Sequence, residues 1–503
     1  MPIRLRHLVV VCALVLSARV PAVAAEPAAA TDAFRLLTLA EAEQVKKGPM
    51  LAEARARHPD QNWPAAKPEA IEAWKDLRFG LMIDWGPVSI TEKEHSWSRD
   101  NPTPAAEYDA LPLRFNPVRF DAKEWMALAK RAGIRYVVPI AKHHDGFCLW
   151  PSRFTGYGMQ MTPFQRDIIG ELASACREQG LRFGIYFSMP DWHHPAFAWT
   201  GKNGLGLRDR YDWDVFEQFT HDQLRELMTA YGPLVTLWFD KPDQYLGRGA
   251  ALIRMARELQ PDILVNNRSG NGGDYRTPEQ NIGSFDNSRP WESCMTVSAH
   301  HQWSWGGKRD GVKSPETCLR MLISVVGGGG NMLLNVGPTP DGEIAPEQRA
   351  ILEYLGAWLS RHGESIYATR GGPYRTSQEL ASTHRGSTVY LHVLRWPDET
   401  LVLPALGRRV VASSLLTGGD VRVEQDATSL RITVPIAHRQ PVDTIVTLQL
   451  DGPASDIAPI AFGTPPSKKP WPEDWESGLT PVNVTGAAVN VGDQMEKDEK
   501  AGH

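Results

Sequence analysis

Short, nearly uninterrupted apolar runs alternate along most of this chain with segments whose apolar residues recur every three or four positions. The stretch 231–243, YGPLVTLWFDKPD, shows the pattern most clearly. Its residues 234–239 are apolar and β-prone after a Gly-Pro turn, which predicts a buried strand. Asp240 ends that strand, just before a loop. Further strands are predicted at 78–86 (RFGLMIDWG), 136–141, 181–188 (LRFGIYFS), 263–267 and 332–336. Between them, 122–132 (AKEWMALAKRA), 167–179, 215–231, 250–259, 315–326 and 346–362 carry helical periodicity. In the first of these, Trp125, Leu128 and Ala129 share one face. An irregular stretch rich in Gly and Trp, containing Glu279 and Glu292, interrupts the alternation and predicts a long loop above the strands.

Strand–helix alternation over residues 70–370 predicts an α/β fold, a (β/α)8-like (TIM) barrel. An open doubly wound sheet would usually announce itself with G-x-G-x-x-G after the first strand, and that is absent. The Gly327–Gly330 run follows a helix and precedes a strand, the wrong order for phosphate binding. Beyond Arg370 the helical pattern stops. Short alternating runs at 388–396, 400–404, 409–416, 421–425, 430–435 and 444–450 predict an antiparallel β-sandwich over residues 371–451. Residues 452–503, rich in Pro, Gly and charge, read as a partly ordered tail. Residues 26–69 read as a linker with helical pieces around 39–57, broken at Gly48-Pro49.

With 503 residues the chain is long enough for a large core and more than one domain. A net charge of −5, with 22% charged residues, gives no electrostatic reason to expect nucleic acid. Residues 1–25 have a basic start (Arg4, Arg6), an apolar run too short to span a bilayer, and small residues at 22–25. This is the pattern of a cleavable signal peptide, so the product is expected to be secreted or periplasmic, without a membrane anchor. Cys148, Cys176, Cys294 and Cys318 form no C-x-x-C pair, which argues against a zinc knot and suggests buried thiols. The sequence carries no signal for oligomeric state.

In a barrel the carboxyl ends of the strands converge on one face, where chemistry sits. Those ends present Asp84, then His143 and His144, then Tyr186 and Asp191, then Trp238 and Asp240, then Asn267 and Arg268. Two histidines, an arginine, aromatics and carboxylates describe a pocket for a polyhydroxylated ligand. His143 and His144 are adjacent, so on a strand they would point to opposite faces. That disfavours a zinc or iron site, and no metal or organic cofactor is expected. Paired carboxylates are the remaining chemistry. Glycoside hydrolysis needs a carboxylate nucleophile, for which Asp240 is suited, and an acid, for which Glu279 and Glu292 are the candidates.

At these residues the chain resembles the α-L-fucosidases of glycoside hydrolase family 29. The resemblance rests on FDAKEWMALAKRAGIRYVV, KHHDGFCLWPS, GIYFSMPDW, LWFD, GDYRTPE, PWESC and NMLLNVGPTPDG, in order over most of residues 74–370. It implies a catalytic barrel followed by a β-sandwich, and a retaining exo-hydrolase acting on fucosylated glycans. Asp240 takes the position of the nucleophile. His143, His144, Tyr186, Trp238 and Arg268 take those of sugar-binding residues, with Trp97 as a further one. Glu279 and Glu292 both remain candidates for the acid/base, and Glu279 is preferred because its loop springs from the strand after Asp240. Cys294 belongs to the WE-x-C signature, for which a catalytic role has been suspected; physically it reads as a packing thiol. One position departs from the pattern. The family's first strand usually ends with a sugar-contacting His, where this chain has Asp84. A negative charge there raises the alternatives of a sugar-binding barrel that has lost its chemistry, or a glycosidase for a related sugar.

Overall fold

The computed structural model describes residues 48–201, 207–245, 247–282 and 285–465. Eight parallel strands form one curled sheet: β1 (Phe79–Ile83), β2 (Tyr136–Lys142), β3 (Arg182–Phe183), β4 (Ile185–Ser188), β5 (Thr236–Asp240), β6 (Leu264–Val265), β7 (Glu292–Thr296) and β8 (Asn331–Val336). They run in space as β6-β5-β4-β2-β1-β8-β7, with β3 beside β2. The pairing of β1 with β8 joins the start and end of the barrel. The helices 122–131, 168–179, 213–230, 249–259, 315–327 and 346–362 stand where the periodicity predicts them, within two residues at each end. Asp121 and Asp167 cap two of them by accepting backbone N–H bonds.

Period-two alternation divides the strand side chains between two cores. Leu237 and Phe239 face the helices, together with Val137, Ile185 and Phe187. Trp238 faces the barrel interior with Tyr136, Val138, Tyr186, Cys294 and Leu333. The ring of Tyr136 lies over Gly80 of the neighbouring strand, where a Cβ would stand 2.4 Å from it. Only a residue without a side chain leaves that ring room to cross the interior.

The seam between β6 and β7 is where the structure departs most from the sequence reading. The irregular stretch does not rise above the barrel as one long loop. Residues 292–296 form a strand, and residues 275–280 fill the gap beside it. Asn267 N–H donates to the Tyr275 carbonyl at 2.9 Å, and Glu292 N–H to that of Arg276 at 2.8 Å. Cys294 N–H donates to Pro278 at 3.1 Å, and Gln280 N–H returns to Cys294 at 2.9 Å. Glu279 therefore sits in the barrel wall. Scattered Gly and Pro hid this, because isolated bridges need no apolar run. The expected strand 181–188 is also interrupted, at Gly184, where Thr236 approaches to 2.7 Å of a would-be Cβ.

The C-terminal unit packs sheets of five and three strands around a shared apolar core. Residues 388–396 give a shorter strand, Thr388–Val393, paired with an unforeseen one, Leu380–Arg385. The latter reads LASTHR, too polar to look like a buried strand. Its Ala381 packs against Gly327 of a barrel helix and Thr383 Oγ1 donates to the Ser365 carbonyl at 2.6 Å, while Ser382 Oγ donates to the Tyr374 carbonyl at 2.9 Å. Tyr390 is buried, and Trp396 lies under Arg439 at 4.2 Å. The four cysteines among the described residues, Cys148, Cys176, Cys294 and Cys318, are free and buried. Among the described residues no helix is long and apolar enough to cross a membrane. The signal-like segment 1–25 and most of the tail lie outside them.

The ladder between β5 and β6 ends at Leu237–Val265, short of Asp240. Beyond it, the side chain of buried Asn266 stands in for a backbone partner. Its Oδ1 accepts from Phe239 N–H and its Nδ2 donates to the Phe239 carbonyl, both at 2.9 Å. Asn266→Ala leaves two buried backbone groups unpaired beside Asp240. The expected loss of stability is about 2–4 kcal/mol, read from denaturant unfolding, with no comparable loss for substitutions on the exposed rim.

Candidate active site

Asp240 is the last residue of β5 and points inward, two positions after Trp238 on the same face. Parallel register sets Tyr186 beside Trp238 and Ser188 beside Asp240. The Tyr186 hydroxyl donates to Asp240 Oδ2 at 2.7 Å, and Arg268 Nη1 donates to Oδ1 at 2.9 Å. Burial opposes ionisation of Asp240. The charge and hydrogen bond of Arg268, helped by Tyr186, outweigh it and hold the carboxyl below its ordinary value.

The other terminal nitrogen of Arg268, Nη2, meets Glu279 Oε2 at 2.7 Å. One guanidinium thus separates the carboxyl groups of Asp240 and Glu279. Such an arrangement is compatible with the roughly 5–5.5 Å of a double-displacement pair. Both carboxyls remain partly open, with side chains 18% and 25% exposed. Arg268 is itself buried over Trp238, 4.8 Å from the ring centroid, with Nε donating to Thr277 Oγ1 at 2.9 Å.

Glu292 is placed differently. It opens β7, at the amino-terminal end of the strands, and is fully buried. The Tyr136 hydroxyl and Trp238 Nε1 both donate to it, the latter at 2.9 Å. Neither of its oxygens bonds Arg268. Burial pushes its carboxyl up to about 7, in the range of a working acid. Access decides against that role, since an acid must reach the oxygen it protonates and both Glu292 oxygens are enclosed by Tyr136 and Trp238. Cys294 lies beside Glu279 in the seam, with Sγ 3.7 Å from the Pro278 carbonyl. Burial, then the charge of Glu279, raises its thiol well above the usual range, so it stays protonated and packs.

The expectation that His143 and His144 face opposite ways fails. β2 shifts register between Ile140 and Lys142 and ends there. The histidines fall in a turn closed by Gly146 N–H to the His143 carbonyl at 3.1 Å, with Gly146 at φ +85°. Period two no longer applies, and the rings converge with centroids 4.0 Å apart. One ligand atom of each and an Asp240 oxygen lie within 4.8 Å of one another. His143 also stacks on Tyr186 at 5.6 Å, and Tyr186 on Trp238 at 5.4 Å. Trp97 meets His144 edge-on at 5.4 Å.

Asp84 is buried, with Oδ1 2.6 Å from His95 Nδ1. The other ring nitrogen of His95 faces Asp145 Oδ2 at 3.4 Å. Burial opposes the charge on His95, but the two carboxylates push its pKa up to about 10. Asp84 is thus half of an ion pair beneath the pocket. His95, Asp145 and Glu94, which accepts from Trp303 N–H at 2.9 Å, were not foreseen. Asp145 stands inside the quoted KHHDGF motif, which was the available signal; His95 and Glu94 lie in a loop with none.

The sequence model of the family described as Alpha-L-fucosidase matches residues 50–364. Human tissue α-L-fucosidase is 31% identical over 419 residues, covering 76% of this chain and 86% of the relative. Among solved structures, α-L-fucosidase isoenzyme 1 of Paenibacillus thiaminolyticus superposes with a TM-score of 0.70 at 33% identity, covering 76% of this chain and 99% of that one. A Bacteroides thetaiotaomicron family 29 α-L-fucosidase, solved as a trapped covalent intermediate, gives 0.70 at 29% identity, covering 78% and 98%.

Removing Arg268 tests the electrostatics directly. In Arg268→Ala, burial of Asp240 loses its main opponent and Tyr186 remains, so the carboxyl protonates at higher pH. A 13C-carboxyl titration is expected to place the Asp240 midpoint above that of the wild type. An unmoved midpoint would mean that Tyr186 and the solvent alone hold the charge.

Proposed function

The chain belongs to the α-L-fucosidase family of glycoside hydrolases, and from that premise we propose that it is an exported, retaining exo-enzyme releasing terminal α-L-fucosyl residues from glycans. The carrying observation is the Arg268 bridge between Asp240 and Glu279. It offers an ionised carboxylate and a second carboxyl group on either side of one site, both partly open. Export rests on the signal-like pattern of residues 1–25.

Asp240 attacks the anomeric carbon while the bond to the aglycone oxygen breaks. Glu279 gives its proton to that oxygen, and a covalent fucosyl ester forms on Asp240. Esterification removes the charge of Asp240, leaving Arg268 with Glu279 alone. Glu279, now a carboxylate, takes a proton from water as the water oxygen bonds to the anomeric carbon and the ester breaks. Tyr186 and Arg268 hold the attacking carboxylate in line. The covalent intermediate trapped in the Bacteroides relative supports the same two-step course. The pairing of Asp84 with His95 supports a working enzyme over a barrel reduced to binding, because an adjacent imidazolium meets the charge of the acid.

Leaving-group dependence separates the glutamates. Glu279→Ala is expected to slow hydrolysis of a natural fucosylated glycan by about 10²–10⁴, yet to spare the first step on a nitrophenyl fucoside, whose leaving group departs unaided. Added azide should restore turnover and give the azide of retained configuration. Asp240→Ala should be slow on both substrates and give the inverted azide. Glu292→Ala should lack this leaving-group pattern and lose stability instead. If Glu292→Ala showed the pattern and Glu279→Ala kept its natural-substrate rate, the assignment would be reversed.

A further inference from the structure

His143 and His144 are chemically alike and adjacent, but their ring nitrogens meet different partners. Ser188 ends β4, and its hydroxyl has one proton to give. Two groups compete for it: the Pro190 carbonyl, at 2.9 Å, and His144 Nδ1, at 2.7 Å. The carbonyl only accepts, so the proton goes there. Ser188 must then accept from His144 Nδ1–H, which leaves Nε2 of the neutral ring as a bare lone pair. That nitrogen stands 3.8 Å from Asp240 Oδ2. Two acceptors face each other without a proton between them.

Ser96 presents the opposite case. Its Oγ accepts from the backbone N–H of Asp145 at 2.9 Å and lies 2.6 Å from His143 Nδ1. An N–H only donates, so the one outlet for the buried hydroxyl proton is Nδ1. His143 then carries its own proton on Nε2. Ser96 is held for this contact in the left-handed region, at φ +57°, with its N–H bonded to the Tyr108 hydroxyl at 2.9 Å. Such backbone is uncommon for a non-glycine residue and is seen where the surroundings over-determine it. Both rings stay neutral. Burial pushes each well below the usual histidine value, and the charged His95 stacked 4.4 Å from His143 adds to this.

We propose that Ser96 and Ser188 are positioning residues that fix His143 and His144 in opposite tautomers, giving the pocket one imidazole that donates and one that accepts, so that the pair reads a free sugar hydroxyl through both its lone pair and its proton. A deoxy position satisfies neither ring, and a methyl ether satisfies only His143. The arrangement also opposes the His143–His144–Asp240 cluster as a metal site, because the His143 nitrogen not taken by Ser96 holds a proton. Binding a cation there would move that proton to Nδ1, reverse the Ser96 bond and leave the buried Ser96 hydroxyl proton without an acceptor. The sugar half of the proposal rests on the fucosidase reading; the proton positions do not.

The test is 15N NMR of histidine-labelled full-length protein near neutral pH, where the two neutral tautomers give different nitrogen shifts. The expected wild-type result is His143 protonated on Nε2 and His144 on Nδ1. Ser188→Ala should move the His144 proton to Nε2, facing Asp240, and Ser96→Ala should release the preference of His143. Each variant should raise KM for a nitrophenyl fucoside by about 10-fold, the cost of one hydrogen bond near 1.4 kcal/mol, with a smaller effect on kcat. Across monodeoxy and mono-O-methyl fucosides, one position should lose at least tenfold to both changes in the wild type, and the O-methyl penalty should shrink in Ser188→Ala. The same tautomer on both rings, or tautomers unmoved by the substitutions, would overturn the proposal, as would the absence of any such position. Correct tautomers without fucoside turnover would instead sink the function and leave the proton arrangement standing.

Discussion

The guanidinium of Arg268 is the constraint on which the pocket depends. It is buried, always charged, and has to be matched on every side. Asp240 and Glu279 take its two terminal nitrogens, Thr277 takes Nε through its hydroxyl and Nη2 through its carbonyl at 3.1 Å, and Trp238 covers its face. Thr277 and Glu279 lie on the seam segment, and Asp240 and Trp238 on β5. A single planar cation thus ties together the two parts of the wall that the sheet ladder leaves unjoined. Losing either carboxylate leaves a buried charge partly unmatched, which costs more than the bond itself. The spacing of the proposed nucleophile and acid is therefore a consequence of closing the barrel.

Charge is arranged in a second layer beneath this one. Asp84, His95 and Asp145 alternate in sign, and His95 stacks under His143. From there planar groups run in sequence across the pocket: His143, Tyr186, Trp238 and the Arg268 guanidinium. A cation stands at each end, and the neutral histidine and aromatics stand between them. Both cations disfavour a third on the histidines. That keeps the imidazoles as neutral hydrogen-bonding groups, which suits contact with hydroxyls better than pairing with Asp240.

The barrel and its strand-end residues were legible because they rest on local rules. Period two along β5 puts Trp238 and Asp240 on one face, and helical periodicity marks the outer layer. What stayed hidden depends on non-local pairing. Nothing in residues 275–280 announces a wall segment, since its bonds go to β6 and β7 one at a time. The convergence of His143 and His144 needed a register shift in β2, which leaves no trace in apolar alternation. Leu380–Arg385 looked too polar for a strand because its polar side chains take backbone partners, Thr383 the Ser365 carbonyl of the barrel and Ser382 the Tyr374 carbonyl of its own unit.

The same distinction explains why Asp84 misled. Read on its own strand, it is a negative charge set where a sugar should be met, and it argues for lost function. Its partner lies eleven residues away in a loop without periodicity, and the pair is neutral as a unit. Compensation at a buried site is a property of the contact and not of either position. Loop residues 94–97 accordingly carry more of the pocket than their sequence suggests. Glu94 anchors the loop to Trp303, His95 neutralises Asp84, Ser96 bonds His143, and Trp97 meets His144. Four consecutive residues make four different contacts because the chain there is irregular, with Ser96 in the left-handed region turning the backbone between them. A regular strand would have sent alternate side chains to opposite faces, and half of those contacts would be lost.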